Sequence, residues 1–302
     1  WRLMVGLTMS MRVVDGIFSR ARQLGRIVGD GVADTGKAAV YVRQLLRGNH
    51  AAPSILTAPR PTASRAAGGA GRASGVAPAP PVLLLHGYMA TRGSVHLMEE
   101  RLTAFGHVVM TYRFGPVHLR DIRESAAFIA GKVESLVAQT GVKQVDVVAH
   151  SMGGLVALDY LKRLEGHRRV RRLVLLGTPS LGTWSALLGI ATAPLGRASL
   201  QLLPGSSFLR ELASRPMPPG PELISISADR DWLAPPHTTV IEGARCLTVP
   251  TGHSGLLVDE SIAQLVSEIL DSPPAGGTPG DTAQVAGGWQ GSRSFDGYRD
   301  PH

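Results

Sequence analysis

The chain has 302 residues, 44% of them hydrophobic and 5% aromatic, which is enough for one sizeable core with room for less patterned additions. One cysteine excludes an intramolecular disulfide, and a formal net charge of +8 sits wholly in residues 1–80, where eleven basic side chains face three acidic ones. Residues 81–302 balance, so the body of the chain carries no charge signal for nucleic acid.

In chain order, the opening WRLMVGLTM has only part of a secretory leader's pattern. Trp at position 1 reads as a missing or misassigned start, and a cytoplasmic or peripherally membrane-associated protein is expected rather than a secreted one. No apolar run reaches the ~18 residues of a membrane span. Residues 12–28 place Val13, Val14, Ile17, Phe18, Ala21, Leu24, Ile27 and Val28 on one helical stripe, with arginines mostly away from it. A second helix is predicted over 35–47. Residues 1–48 thus form a basic helical extension, expected either to lie on an anionic membrane surface through residues 12–47 or to dock on the body near its insert. Residues 49–80, rich in Ala, Pro, Gly, Ser and Arg without a period, read as a flexible linker.

From Pro81 to about residue 271, strand and helix signals alternate. Strands are predicted at 82–87, 107–112, 144–150, 171–177, 222–227 and 244–249. Helices are predicted at 93–105, 118–139, 152–164 and 259–270, with an apolar insert at about 180–220. Continuous apolar runs such as VLLL mark strands buried on both faces. The alternation predicts an α/β domain, a mostly parallel central sheet with helices on both faces. Residues 272–302 read as a disordered tail. Cys246, in the apolar run ARCLTV, reads as a small buried hydrophobe.

The segment Ala149-His150-Ser151-Met152-Gly153-Gly154 joins a predicted strand to a predicted helix. A serine on such a turn projects its Oγ from the sheet, provided that the residues two before and two after it are small. Ala149 and Gly153 meet that need. The bland alternative is an ordinary N-cap serine. A-H-S-M-G-G after QVDVV resembles the elbow of small bacterial lipases and esterases of the α/β-hydrolase superfamily, in which Ala replaces the first Gly of G-x-S-x-G. The resemblance spans about residues 81–271. It includes His86-Gly87, Gly177-Thr178-Pro179, Leu181-Gly182-Thr183, the closing Gly252-His253 and LPGSSFLREL at 203–212.

The resemblance implies the α/β-hydrolase fold, no cofactor and no metal. By position, the oxyanion donors are the backbone N–H groups of Tyr88, after the first strand, and Met152, after the nucleophile. Gly87 lets the backbone pass close to substrate, and His86 is expected to hold that loop by a hydrogen bond. The base follows the last strand: His253, in a loop between Gly252 and Ser254, alone of ten histidines has this placement. His107, His118, His167, His237 and His302 read as solvated. The acid is Asp231 or Asp229. The family's D-x-x-x-P spacing to Pro235 favours Asp231, and the order Ser…Asp…His is the one this superfamily uses. The insert, with Trp184, Leu187, Leu188, Leu202 and Phe208, reads as a lid or acyl-binding wall, or as an ordinary pair of packing helices.

The function these readings predict is hydrolysis of carboxylic esters, as by a lipase or esterase, through an acyl-enzyme on Ser151. The partner expected is an ester or lipid substrate. Acyl transfer or thioester hydrolysis on the same triad is the alternative, and a non-catalytic membrane-associated scaffold is another.

Overall fold

A computed structural model describes residues 34–48 and 79–273. The apolar stripe of residues 12–28, most of the predicted linker and the tail beyond residue 273 lie outside the described residues.

Six strands form one sheet: β1 Val82–Leu85, β2 Val109–Thr111, β3 Val145–His150, β4 Val170–Leu176, β5 Glu222–Ala228 and β6 Arg245–Val249. All neighbouring pairs are parallel, and the spatial order is β2-β1-β3-β4-β5-β6. The helices are α1 at 34–46, α2 His96–Ala104, α3 Ile122–Thr140, α4 Met152–Arg163, α5 Ala198–Gln201, α6 Ser207–Ser214, α7 Gly255–Val258 and α8 Glu260–Asp271.

The continuous apolar runs divide between two cores because successive strand side chains point to opposite faces. Leu83, Leu85, Val147, Ala149, Leu173 and Leu175 pack on one face with α3 and α4. Val82, Leu84, Val148, Val174, Leu176 and Ile226 pack on the other with α2 and α8. Parallel strands need crossovers, and the helices that make them cover both faces.

One buried cation locks the last helix to the sheet. Arg172 on β4 is wholly buried, pairs with Glu222 on β5 at 2.7 Å and donates to the carbonyls of Ile269, Leu270 and Ser272. These carbonyls lie at the C-terminus of α8, where a positive charge also meets the negative end of the helix dipole.

Four local expectations are corrected. The helix predicted from 118 begins at Ile122, capped by the Asp121 side chain, which accepts from the Arg123 N–H. The chain at 118 is already committed to the loop after β1: the His118 N–H donates to Ala90 O, and the Met89 N–H to His118 O. His118 is therefore fully buried rather than solvated, and so is His107, whose Nε2 meets Ser267 Oγ at 2.8 Å. Cys246 is exposed, because β6 is the edge strand and the side carrying Cys246 and Thr248 is open.

Candidate active site

The strand order reverses between β1 and β3: the chain steps outward from β1 to β2, then returns to β3 on the other side of β1. In open α/β sheets the crevice at such a switch point, beyond the strands' C-terminal ends, is where ligands bind. The register places the predicted site residues around this crevice. Leu85 pairs with Ala149, so Gly87 and Ser151 each lie two residues past the same rung.

Ser151 has φ 54° and ψ −128°, one of three non-glycine residues with positive φ among the described residues. Such backbone costs on the order of 1–3 kcal/mol and persists where the surroundings over-determine it. Here the Ser151 N–H donates to Leu176 O at 2.8 Å, and α4 starts directly after it. The neighbours must be small. A Cβ on Gly87 would stand 2.8 Å from Ser151 Cβ, and one on Gly153 would stand 2.8 Å from His86 O and 2.9 Å from Leu85 O. Met152 is the first residue of α4, so its N–H is among the donors a helix N-terminus leaves without an intrahelical partner.

His253 and Asp231 arrive from the other two strand ends. Asp231 lies three residues beyond β5 and His253 four beyond β6. Their Nδ1 and Oδ2 atoms are 2.6 Å apart, and the Asp231 side chain has no exposed surface. Asp231 Oδ1 accepts from the Leu233 and Ala234 N–H groups at 2.9 and 2.8 Å, which fixes the carboxylate. Asp229, the other candidate, is directed elsewhere: its side chain is 46% exposed and lies 3.6 Å from Arg230. The structure thus brings together Ser151, His253 and Asp231 and leaves Asp229 outside.

His86 does not tie the loop as expected. Its ring is buried edge-on to Phe114 and His118, and its Nδ1 reaches only the adjacent Gly87 O at 3.4 Å. The loop is held by His118 instead, through the two backbone hydrogen bonds and an Nδ1 contact of 3.3 Å to His86 O. Burial pushes the pKa of His86 down to about 4. Burial, then the neighbouring His86, takes that of His118 to about 3. Tyr88 reaches across to the insert, its hydroxyl donating to Gly189 O at 3.1 Å.

One contribution escaped the sequence reading, and another matches an alternative it left open. His150, within the elbow itself, is buried against His253 with ring centroids 4.5 Å apart, and its Nε2 lies 3.2 Å from His253 O. Burial, then the adjacent His253, holds its pKa well below the usual imidazole range. Its place directly before the serine was a signal. The other is docking of the extension on the body near the insert: Tyr41 and Leu45 of helix α1 line the cavity over Ser151 together with Ala186 and Leu188. The half-buried and buried positions of α1, 34, 37, 38, 41, 44, 45 and 48, follow the 3.6-residue period.

That cavity, of about 270 Å³, is also lined by Tyr88, Met89, Ala186, Leu188, Leu202 and Leu233. The insert therefore forms part of its wall, and Trp184, Leu187 and Leu188 leave apolar surface exposed there. Among the described residues no cluster of three or more His, Cys, Asp or Glu is arranged to hold a metal ion, and no helix is long and apolar enough to cross a membrane.

Residues 82–268 match the alpha/beta hydrolase family. Among solved structures, the mature lipase of Bacillus licheniformis superposes with a TM-score of 0.54 at 17% identity, over 66% of this chain and 95% of that one. Lipase B of Aspergillus fumigatus gives 0.53 at 16%, over 65% of this chain and 53% of that one. Phospholipase PlaB of Legionella pneumophila gives 0.53 at 13%, over 65% and 60%. At these identities the likeness is one of fold.

Proposed function

The chain belongs to the alpha/beta hydrolase family, and from that premise we propose that it hydrolyses carboxylic esters, as a lipase or esterase, with Ser151 as nucleophile, His253 as base and Asp231 as the acid that orients it. The observation that carries this reading is the 2.6 Å contact of His253 Nδ1 with Asp231 Oδ2, on a cavity that also holds the strained Ser151.

The proposed steps use only these side chains and water. Asp231, accepting from His253 Nδ1–H, leaves Nε2 as the basic nitrogen. Nε2 takes the Ser151 proton as Oγ adds to the ester carbonyl. The oxyanion is held by the Met152 and Tyr88 N–H groups, which need no reorganisation because a helix start and a bridged loop fix them. His253 returns the proton to the leaving alcohol as the C–O bond breaks, leaving an acyl group on Ser151. Water, deprotonated by the same nitrogen, adds to that acyl carbon, and the acid departs as Ser151 regains its proton.

A lipidic ester is favoured by the apolar rim: Met89 and Leu188 line the cavity while 48% and 76% exposed. Peripheral contact of residues 12–47 with an anionic membrane belongs to the same reading. Sedimentation with anionic vesicles at low and high salt tests it, and salt-independent absence of binding removes it.

A fluorophosphonate probe tests the chemistry. The expected result is covalent labelling at Ser151, lost in Ser151→Ala, with turnover of p-nitrophenyl esters. Failure of the wild-type chain to label, or labelling elsewhere, removes the proposal.

A further inference from the structure

Helix α1 lies outside residues 82–268, the span matched to the family, yet it is built into the crevice. Its first turns are anchored by ions. Asp34 pairs with Arg230 at 2.5 Å, next to Asp231 in the chain, and Lys37 pairs with Asp259 at 2.7 Å and donates to Thr251 Oγ1 at 3.2 Å. These partners flank the loops that carry the acid and the base. Its last turn is anchored to the segment after β1: Thr91 Oγ1 donates to Leu45 O at 3.0 Å, and the Gly93 N–H to Gly48 O at 3.0 Å. The approach is close enough that a Cβ on Gly93 would come within 2.3 Å of Gln44 O.

Between these anchors the helix turns Tyr41 and Leu45 inward. They are four residues apart, on one face, and both line the cavity over Ser151. Tyr41 faces the His150 ring, at 6.4 Å between centroids, and burial raises its pKa. Leu45 supplies apolar surface to the cavity that the insert's Ala186 and Leu188 and the neighbouring Tyr88 and Met89 also line. Leu46, on the outward face, is 79% exposed.

We propose that α1 is a substrate-binding wall added from outside the span matched to the family, and that Leu45 sets the length of the apolar group the site accepts. This deepens the reading of the site as an ester hydrolase and rests on it. The hydrocarbon must share the cavity with Leu45, so a larger side chain there shortens the longest group that fits, and a smaller one lengthens it. A change of one methylene in such a pocket is worth roughly 10–200-fold in discrimination.

The experiment uses the full chain and four p-nitrophenyl esters: acetate, butyrate, octanoate and dodecanoate. Leu45→Trp is expected to lower kcat/KM for the long esters roughly tenfold relative to acetate. Leu45→Ala is expected to move the preference toward the long ones, which a helix that had merely come loose would not do in opposite senses for the two variants. Leu46→Trp, on the outward face, should leave the profile within about twofold. The same substitutions in a Ser151→Ala background are titrated with octanoate and dodecanoate, which reads the wall without chemistry. Weaker dodecanoate binding in Leu45→Trp supports the wall even if no ester is turned over and only the hydrolase reading fails. An ester profile and carboxylate affinities unchanged by both Leu45 variants, or no carboxylate binding together with a flat ester profile, overturn it.

Discussion

Ser151 is held at positive φ by its surroundings and its side chain makes no cap hydrogen bond, so the hydroxyl of the proposed nucleophile has little bearing on the fold. Ser151→Ala is expected to remove on the order of 10⁶ in kcat, with a melting temperature close to wild type. Asp231 and Asp229 are two residues apart and differ in everything that matters to His253: one is buried and receives Nδ1, the other is exposed beside Arg230. Asp231→Asn should cost about 10⁴ in kcat by favouring the wrong tautomer, and Asp229→Asn little. Kinetics on the two purified variants ranks them, and the reverse order would move the acid. The buried histidines of the β1 loop have a pH signature. Their folded pKa values, about 4 for His86 and about 3 for His118, lie below the unfolded value near 6.5, so the unfolded chain takes up protons first as pH falls. Their stabilisation is complete above about pH 6.5 and is lost progressively toward pH 4 and below. Urea unfolding at pH 7 and pH 4.5 should show this loss, and His118→Gln should flatten it; an unchanged acid limb would contradict the burial argument.

At the scale of elements, the nucleophile turn works because α4 and the β1 loop approach without side chains between them. Gly153→Ala inserts a methyl against the carbonyls of His86 and Leu85. It is expected to cost about 1–3 kcal/mol, the usual price of overpacking. It should also reduce activity, because the strain falls on the loop carrying the Tyr88 N–H. Denaturation midpoints and kcat measured together distinguish this from a simple loss of stability. Arg172 shows the same economy on the opposite side of the sheet. Arg172→Leu removes the partner of Glu222 and the side-chain donor to the Ile269 and Ser272 carbonyls, while Leu270 O keeps Arg171 Nη2 as a donor. A loss of about 3–5 kcal/mol is expected, as when one partner of a buried pair is removed. Esterase activity per folded molecule should be nearly unchanged, since the site lies elsewhere.

For the whole molecule, the question is what the N-terminal helix contributes. Asp34, Lys37, Gln44 and Leu45 all engage the hydrolase body, so a chain beginning at Ala79 leaves Arg230, Asp259 and Thr91 without those partners. A drop in melting temperature of about 5 °C or more is expected, with a broadened ester preference. Thermal unfolding of the short and full chains checks the first. An unchanged melting temperature would mean that α1 adds no stability where it docks.

The sequence by itself determined the order of strands and helices and the position of the elbow. These depend on local signals: apolar runs four to seven residues long, periodicity 3.6, and small residues on either side of Ser151. Predicted and observed strands agree within two residues at every end, β2 included, where Val109–Thr111 pair with β1. Spacing to Pro235 also singled out Asp231, although its distance from His253 was not legible. What only the tertiary structure decided concerns residues far apart in the chain. His118 looked solvated because its neighbours in sequence are polar and Gly-Pro-rich. It is buried because residues 115–120 fold back on the β1 loop, a contact no local window contains. Cys246 looked buried because its run is apolar, and it is exposed because β6 happens to be the sheet's last strand. Helix α1 was legible as a helix, and docking near the insert as one of two options, but its contacts were not: Asp34 meets Arg230 across 196 residues of chain, and such a pairing is selected by the shape and charge of the assembled crevice rather than by any pattern within the helix.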